Sequence, residues 1–282
     1  MKQIFLFVCT LIAATTAVAQ TITPLVHFDF SSTSDASATY QGSLCQGAEL
    51  IPYADGLQVL SLGDNDGYFD FGESFGNVIA SLDGNYSLSL NVYIPENADL
   101  NHNGNFVWCF ARSSSEGYLF FSAKDTRFAI SQTDYSGELS ITAKNPVQKG
   151  QWNHVVVVSR NQSVRLYVNG VSASKTIRLQ PSEVGKTVEN YLGRSCYVGD
   201  AYLRNALYSD FRLYDQDINA SEIGRLIQLT KRLNAFEDSL RIIRHIQEFS
   251  PGDLTQLKSD VELPATYREL KIEWSSSDNG VI

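Results

Sequence analysis

The sequence predicts a mainly β protein, a sandwich or barrel, with a helical stretch and a short β segment after it. Two observations carry this. From Thr21 to about Tyr214 hydrophobicity alternates with a period of two, in short runs separated by Gly, Asn, Asp and Ser turns. From Ser221 the period lengthens to three and four residues and stays so to Ser250. A dozen short strands with turn signals between them need a second sheet, or closure, to bury their apolar faces.

Taken in order, the strands begin with runs over 22–30, 57–62 and 67–71. Next, Tyr86, Leu88, Leu90, Val92 and Ile94 alternate with Ser87, Ser89, Asn91 and Tyr93, which predicts a half-buried strand with a polar outer face. Further runs cover 105–111, 117–123, 127–132 and 137–143. Val155–Val158 is unbroken apolar sequence, as a strand covered on both faces requires. Val164, Leu166 and Val168 then lead into Asn169-Gly170, a pair that accepts the positive φ angles of a tight hairpin turn. A last strand covers 205–213. Ile223, Leu226, Ile227, Leu233, Phe236, Leu240, Ile243 and Ile246 define an amphipathic helix, continuous or in two pieces. Asn219 or Ser221 caps its start and Pro251-Gly252 ends it. Leu270-Lys271-Ile272-Glu273-Trp274 alternates like a strand. One strand pair has no core of its own, so this segment must dock on the rest or belong to a module that continues.

Charge and targeting signals narrow the function classes. The 282 residues carry a formal charge of -9 and a pI near 4.9, which argues against a nucleic-acid partner and suits neutral polysaccharides. Lys2, the apolar run Ile4 to Ala14 and Ala17-Val18-Ala19 form a secretory leader over residues 1–19, with cleavage after Ala19. The chain is therefore expected to be exported, to the periplasm, cell surface or medium, and not to span a membrane. Cys45, Cys109 and Cys196 remain after cleavage; they allow at most one intrachain bridge and show no zinc spacing.

Several stretches in a fixed order resemble laminin-G-like domains of the concanavalin A-like lectin/glucanase superfamily. They are Gly56-Leu57-Gln58-Val59 and Gly67-Tyr68-Phe69-Asp70-Phe71-Gly72, then Gln151-Trp152-Asn153-His154-Val155 and Leu166-Tyr167-Val168-Asn169-Gly170. Tyr191-Leu192-Gly193-Arg194-Ser195 and Tyr208-Ser209-Asp210-Phe211-Arg212-Leu213-Tyr214 follow, with Ser209 where the family usually has Asp. The resemblance implies a jelly-roll β-sandwich of two antiparallel sheets over 20–220, followed by a helical linker over 221–250. Val261-Glu262-Leu263-Pro264 with Ile272 to Ile282 resembles the opening of an atrophied bacterial immunoglobulin-like domain, giving a partial module over 253–282. In bacterial proteins so arranged, a family 43 arabinofuranosidase/xylosidase-type hydrolase often follows.

The glucanases of this superfamily carry E-x-D-x-x-E or E-x-D-x-E on one strand, and no such spacing occurs here. The expected role is accordingly a non-catalytic carbohydrate-binding accessory module that works beside an attached hydrolase. The alternatives are the N-terminal part of such a glycoside hydrolase and a protein-adhesion module. Tyr197, Asp200, Tyr202 and Asn205 gather in one Gly-containing loop with Arg194 just before it. A sugar's C–H face stacks on a ring and its hydroxyls need amide or carboxylate partners, so these five are the candidate oligosaccharide contacts; packed loop anchors are the alternative. Asp64-Asn65-Asp66-Gly67 reads as a turn, because Tyr68 and Phe69 stand where a calcium loop needs an oxygen ligand and a Gly. The superfamily often holds one structural calcium ion between its first and last strands, which points by resemblance to Asp29 and Asp210. Trp152 is expected in the core and His154 as a hydrogen-bonded structural residue.

Overall fold

The computed structural model describes residues 22–250 and 263–275. The leader over 1–19 and most of the residues assigned to the immunoglobulin-like tail lie outside them.

Among the described residues seventeen strands and three α-helices follow one another. They are β1 (Val26–Phe28), β2 (Ser43–Cys45), β3 (Glu49–Pro52), β4 (Gln58–Ser61), β5 (Tyr68–Asp70), α1 (Phe75–Ser81), β6 (Tyr86–Ile94), β7 (Phe106–Ala111), β8 (Tyr118–Ser122), β9 (Arg127–Ser131) and β10 (Leu139–Thr142). Then come β11 (Gln151–Arg160), β12 (Ser163–Val168), β13 (Val171–Thr176), α2 (Pro181–Val184), β14 (Glu189–Leu192), β15 (Leu207–Tyr214), α3 (Ala220–Glu248), β16 (Thr266–Tyr267) and β17 (Leu270–Lys271). One sheet runs β13-β12-β11-β6-β15-β4-β3, with β1 also paired to β15; the other runs β10-β9-β8-β7-β14-β5-β2. All these pairs are antiparallel, and the two sheets face each other as the predicted jelly-roll sandwich. The turn at Asn169-Gly170 has φ of 51° and 81° at its two positions, and β12 and β13 pair directly across it.

Alternation decides what each sheet face buries. Leu88, Leu90 and Val92 of β6 point into the space between the sheets, with Val155 and Val157 of β11 and with Phe121, Phe128 and Ile130 of the opposite sheet. At one end Phe28, Phe69, Phe71, Phe75, Phe110 and Phe211 interlock. Phe71 stacks on Phe75 at 4.5 Å and lies 4.8 Å from Phe211, so this one ring cluster ties β1, β5, α1, β7 and β15 together.

The outer face of the eight-stranded sheet is covered too, by α3. Asn219 caps the helix by accepting the Glu222 N–H at 3.0 Å. Ile223 and Leu226 pack on Val156, Val158, Tyr214 and Ile218, and Leu233 on Val59 and Trp152. The unbroken Val155–Val158 run thus has an apolar neighbour on each side. The Asn234 amide takes the Trp152 N–H at 2.7 Å and gives to the Trp152 carbonyl at 3.0 Å, three residues beyond Val155, where the pairing of β11 with β12 stops. The serines and asparagine of β6, expected on a polar outer face, are therefore buried beneath the helix and its lead-in. Their bonds are met there: Ser87 with Gln216 and Ile218, Ser89 with His154, Asn91 with Thr230. The helix is a single piece, and it ends with Phe249 against Tyr267 and Trp274 and Glu248 paired to Arg268. The β16–β17 pair thus docks on the helix end.

Candidate functional site

The candidate sugar-contact loop leaves β14 at Gly193 and returns at β15. Gly193 has φ of 81°, and a Cβ there would stand 2.1 Å from the Leu62 side chain. The loop then folds back along the outer face of the seven-stranded sheet. It is tied to the segment before β7 by a parallel bridge between Gly104 and Ala201. Ala201 donates to the Asn103 carbonyl at 2.8 Å, and the Ala201 carbonyl accepts from Asn105 at 2.7 Å.

The five predicted residues divide between two roles. Arg194 lies with its guanidinium carbon 4.7 Å from the Tyr68 ring centre, 4.5 Å from Tyr191 and 5.9 Å from Tyr202. This is a cation–π nest that fixes the start of the loop. Tyr197 sets its ring edge-on to Tyr118 at 5.7 Å, and its hydroxyl reaches the Tyr118 hydroxyl at 3.1 Å. Tyr118 in turn donates to Glu138 at 2.9 Å, and Glu138 is ion-paired to Arg127. Burial, with the neighbouring Tyr197 and Glu138, drives the Tyr118 phenol far above its ordinary range. Both Arg194 and Tyr197 are loop anchors, the alternative weighed for them from the sequence, although Tyr197 also lines a cleft.

Asp200, Tyr202 and Asn205 present themselves outward. Asp200 accepts from the Ser195 hydroxyl at 2.7 Å and is half-buried. Tyr202 is half-buried and Asn205 exposed, with φ of 56° at Asn205 and its N–H held by the Gly63 carbonyl at 2.7 Å. These three line a cleft of about 670 Å³ with Asp66, Asp99 and His102. A second cleft of about 450 Å³ lies on the other side of the Gly104–Ala201 bridge, bordered by Tyr135, Glu138, Arg127, Tyr197 and Val198. Asp200 borders both.

Sequence reasoning missed the opposing walls. Asp99 and His102 sit in a segment where Asn97, Asn101, Asn103 and Asn105 crowd together, a concentration of amides that was a usable signal. Tyr135 is 73% exposed, in a turn where Asp134 accepts the Ser136 N–H. An Asp-Tyr-Ser-Gly turn carries no mark that its ring faces a cleft.

The carboxylates assigned to calcium lie on or beside the paired strands β1 and β15, and each has partners within the protein. Asp29 is spent on its own turn, accepting from the Ser31 N–H at 2.9 Å and the Ser31 hydroxyl at 2.7 Å. Asp210 sits in a bulge of β15, at φ of 57°. One of its oxygens meets His27 Nε2 at 2.8 Å and Arg212 Nε and Nη2 at 2.9 and 2.8 Å. Burial alone would raise the Asp210 pKa; the His27 and Arg212 hydrogen bonds outweigh it and hold the carboxyl below its usual value. A carboxylate already facing a guanidinium does not fit a divalent cation, which would meet that charge at close range. Among the described residues no group of three or more His, Cys, Asp or Glu side chains converges as a metal site.

Residues 63–224 match the family model described as the concanavalin A-like lectin/glucanases superfamily, and the chain belongs to that family. Among solved structures it is similar to domain 4 of AbnA, a GH43 extracellular arabinanase from Geobacillus stearothermophilus, in complex with arabinotriose. That match has 18% identity and a TM-score of 0.57, over 71% of this chain and 96% of that one. It is also similar to a botulinum neurotoxin type C structure described as showing cell entry dependent on two ganglioside molecules (14%, TM-score 0.52, 70% of this chain and 48% of that one). A mutant Trypanosoma rangeli sialidase displaying trans-sialidase activity matches at 15% and 0.50, over 71% of this chain and 32% of that one. At these identities the likeness is one of fold, and the chain spans less than half of the neurotoxin and sialidase chains. No curated protein matches the chain in sequence.

Proposed function

We propose that this chain is an exported, non-catalytic module that binds a neutral oligosaccharide in the two clefts flanking the 197–205 loop, beside an attached polysaccharide hydrolase. The observation that carries the proposal is the placement of Asp200 between both clefts, with Tyr202 and Asn205 on one side and Tyr135 and Tyr197 on the other. Rings offer a face to a sugar's C–H groups, and the carboxylate and amide take its hydroxyls. The larger cleft sets Asp66, Asp99 and Asp200 against one permanent cation among its described residues, Arg204, and Arg204 is already paired to Asp66 at 2.7 Å. That rim disfavours sialylated or uronic sugars and suits arabinan- or xylan-like chains. The arabinotriose named with the arabinanase domain is consistent with this choice.

Calorimetric titration with arabinan and xylan oligosaccharides tests it. Open clefts of this kind should bind in the micromolar to millimolar range, on the order of -4 to -8 kcal/mol. Asp200→Ala combined with Tyr202→Ala should remove binding. Preference for a sialylated glycan, or for a protein surface with no glycan response, would overturn the reading.

A further inference from the structure

Two of the three cysteines among the described residues meet beneath the loop that carries the clefts. Cys109 points outward from β7, away from the inter-sheet core, and is 0% exposed; Cys196 on the loop is 2% exposed. Both belong to one buried cluster with Phe106, Tyr118 and Phe120, against which Tyr197 packs. Both are free thiols in the structure, and burial first, with the neighbouring Cys196 second, pushes the Cys109 thiol well above the ordinary range. Cys45 is elsewhere. It lies on β2, separated from β7 by β5 and β14, a spacing of roughly 14 Å at ~4.8 Å per strand. A bridge needs Cα atoms no more than about 7 Å apart. Cys45 therefore cannot reach Cys109 without dismantling the sheet.

We propose that Cys109 and Cys196 form a disulfide that pins the cleft-bearing loop to the seven-stranded sheet. With a small-molecule disulfide as oxidant, one protein thiolate attacks it and releases one reduced thiol. The second protein thiolate then attacks the mixed disulfide and releases the other. Two protein thiols thus lose two protons and two electrons to one oxidant disulfide, which leaves as two thiols. Both protein thiols are shielded once the loop is seated, so the bond closes during folding or when the loop lifts. Val198, 93% exposed, and Gly199, with φ of 89°, mark the outer, lifting side of that loop. Closing the bond ties the loop to β7 through 87 chain positions, from 109 to 196. It acts on the same segment as the Arg194 nest and the Gly104–Ala201 bridge.

The chain from Gln20 onward, which lacks Cys9, refolded from denaturant in a mixture of oxidised and reduced glutathione, should be alkylated under denaturing conditions without reductant and mapped by mass spectrometry. The expected map joins the Cys109 and Cys196 peptides and leaves the alkyl group on Cys45. Three alkylated thiols, or a bond that includes Cys45, would overturn the proposal. A Cys45→Ser variant leaves one possible pair and gives a second readout. Its oxidised form should melt several degrees higher than its reduced form and be cut several-fold more slowly by protease around Val198. A bridged protein with the reduced protein's melting point and cleavage rate would show that the bond does not pin the loop.

Discussion

His154 shows what burial does to one ionisable side chain in this sheet. Its Nε2 lies 3.0 Å from the Ser89 hydroxyl, while its Nδ1 is buried without a partner among the described residues. Burial is the main cause that lowers its pKa to about 4; the Asp210 charge pulls upward and the Arg212 charge downward. The folded state holds the ring neutral, whereas the unfolded chain protonates it near pH 6.5. Stability from this residue is therefore full above pH 6.5 and lost as pH falls from there toward 4, by about 3 kcal/mol in all. Asp210 acts in a different window: with its carboxyl held low, its contribution disappears only below the ordinary carboxylate range. Urea denaturation at pH 7.5, 5.5 and 4.0 should show the His154 loss, and His154→Gln should flatten the profile over that interval. An unchanged slope in the variant would remove His154 as the cause. The structural role of His154 was legible from its place before an apolar run, and so was the burial of Trp152. The role of Asp210 was not. A one-residue bulge turns it toward Arg212 and His27, and no glycine marks that bulge, because Asp tolerates a left-handed φ.

Elements with long alternation or strict helical spacing were readable because burial imposes their period. This holds for β6, β11, β12 and α3, whose cap at Asn219 was one of two candidates. The short strands β2 and β3 and the helix α1 escaped. Three to seven residues show less than a full pattern, and β2 and β3 are edge strands with mostly exposed or half-buried side chains. The loop bridge escaped for another reason, since a parallel pairing of one residue leaves no periodicity at all. Its requirement is steric instead. Gly104 has φ of 94°, and a Cβ there would sit 2.3 Å from the Ala201 carbonyl oxygen and 2.9 Å from the Asp200 Cβ. Gly104→Ala must push the 197–205 loop outward or break the bridge. We expect a loss of about 2 kcal/mol from strain and the lost pairing, together with loss of oligosaccharide binding, because Asp200 moves with the loop. Equilibrium denaturation and calorimetric titration of the same sample measure both effects. Full stability with full affinity would show that the loop is not positioned by this contact.

At the scale of the molecule, α3 is two things along one length. From Ala220 to about Glu237 it is the third layer of the sandwich. Ile223, Leu226 and Leu233 are buried by the sheet, Asn234 completes the hydrogen bonding of Trp152, and the Tyr53 hydroxyl meets Glu237. Beyond that, Ile242, Ile243 and Ile246 are 42 to 62% exposed, and the helix contacts the β16–β17 pair through Phe249 and Glu248. The sequence showed an amphipathic helix, in one piece or two; it could not show that only its first half has a sheet to lie on, because the apolar spacing continues through both. The two halves should therefore answer differently to truncation. Ending the chain after residue 240 removes no packing or hydrogen bond between α3 and the sheet described above, so the sandwich should melt within a few degrees of the full chain. Ending it after residue 218 uncovers Trp152, Val156, Val158 and Tyr214 and leaves Asn91 without Thr230. Three buried aliphatic side chains at about 1.5–3 kcal/mol each place that loss on the order of 5 kcal/mol, a large fraction of a domain's whole stability. The shorter fragment should consequently aggregate or bind a hydrophobic dye while the longer one behaves as the full chain does. Calorimetry and light scattering on the pair decide it: equal stability in both would mean that the helix is only a spacer laid on a self-sufficient sandwich.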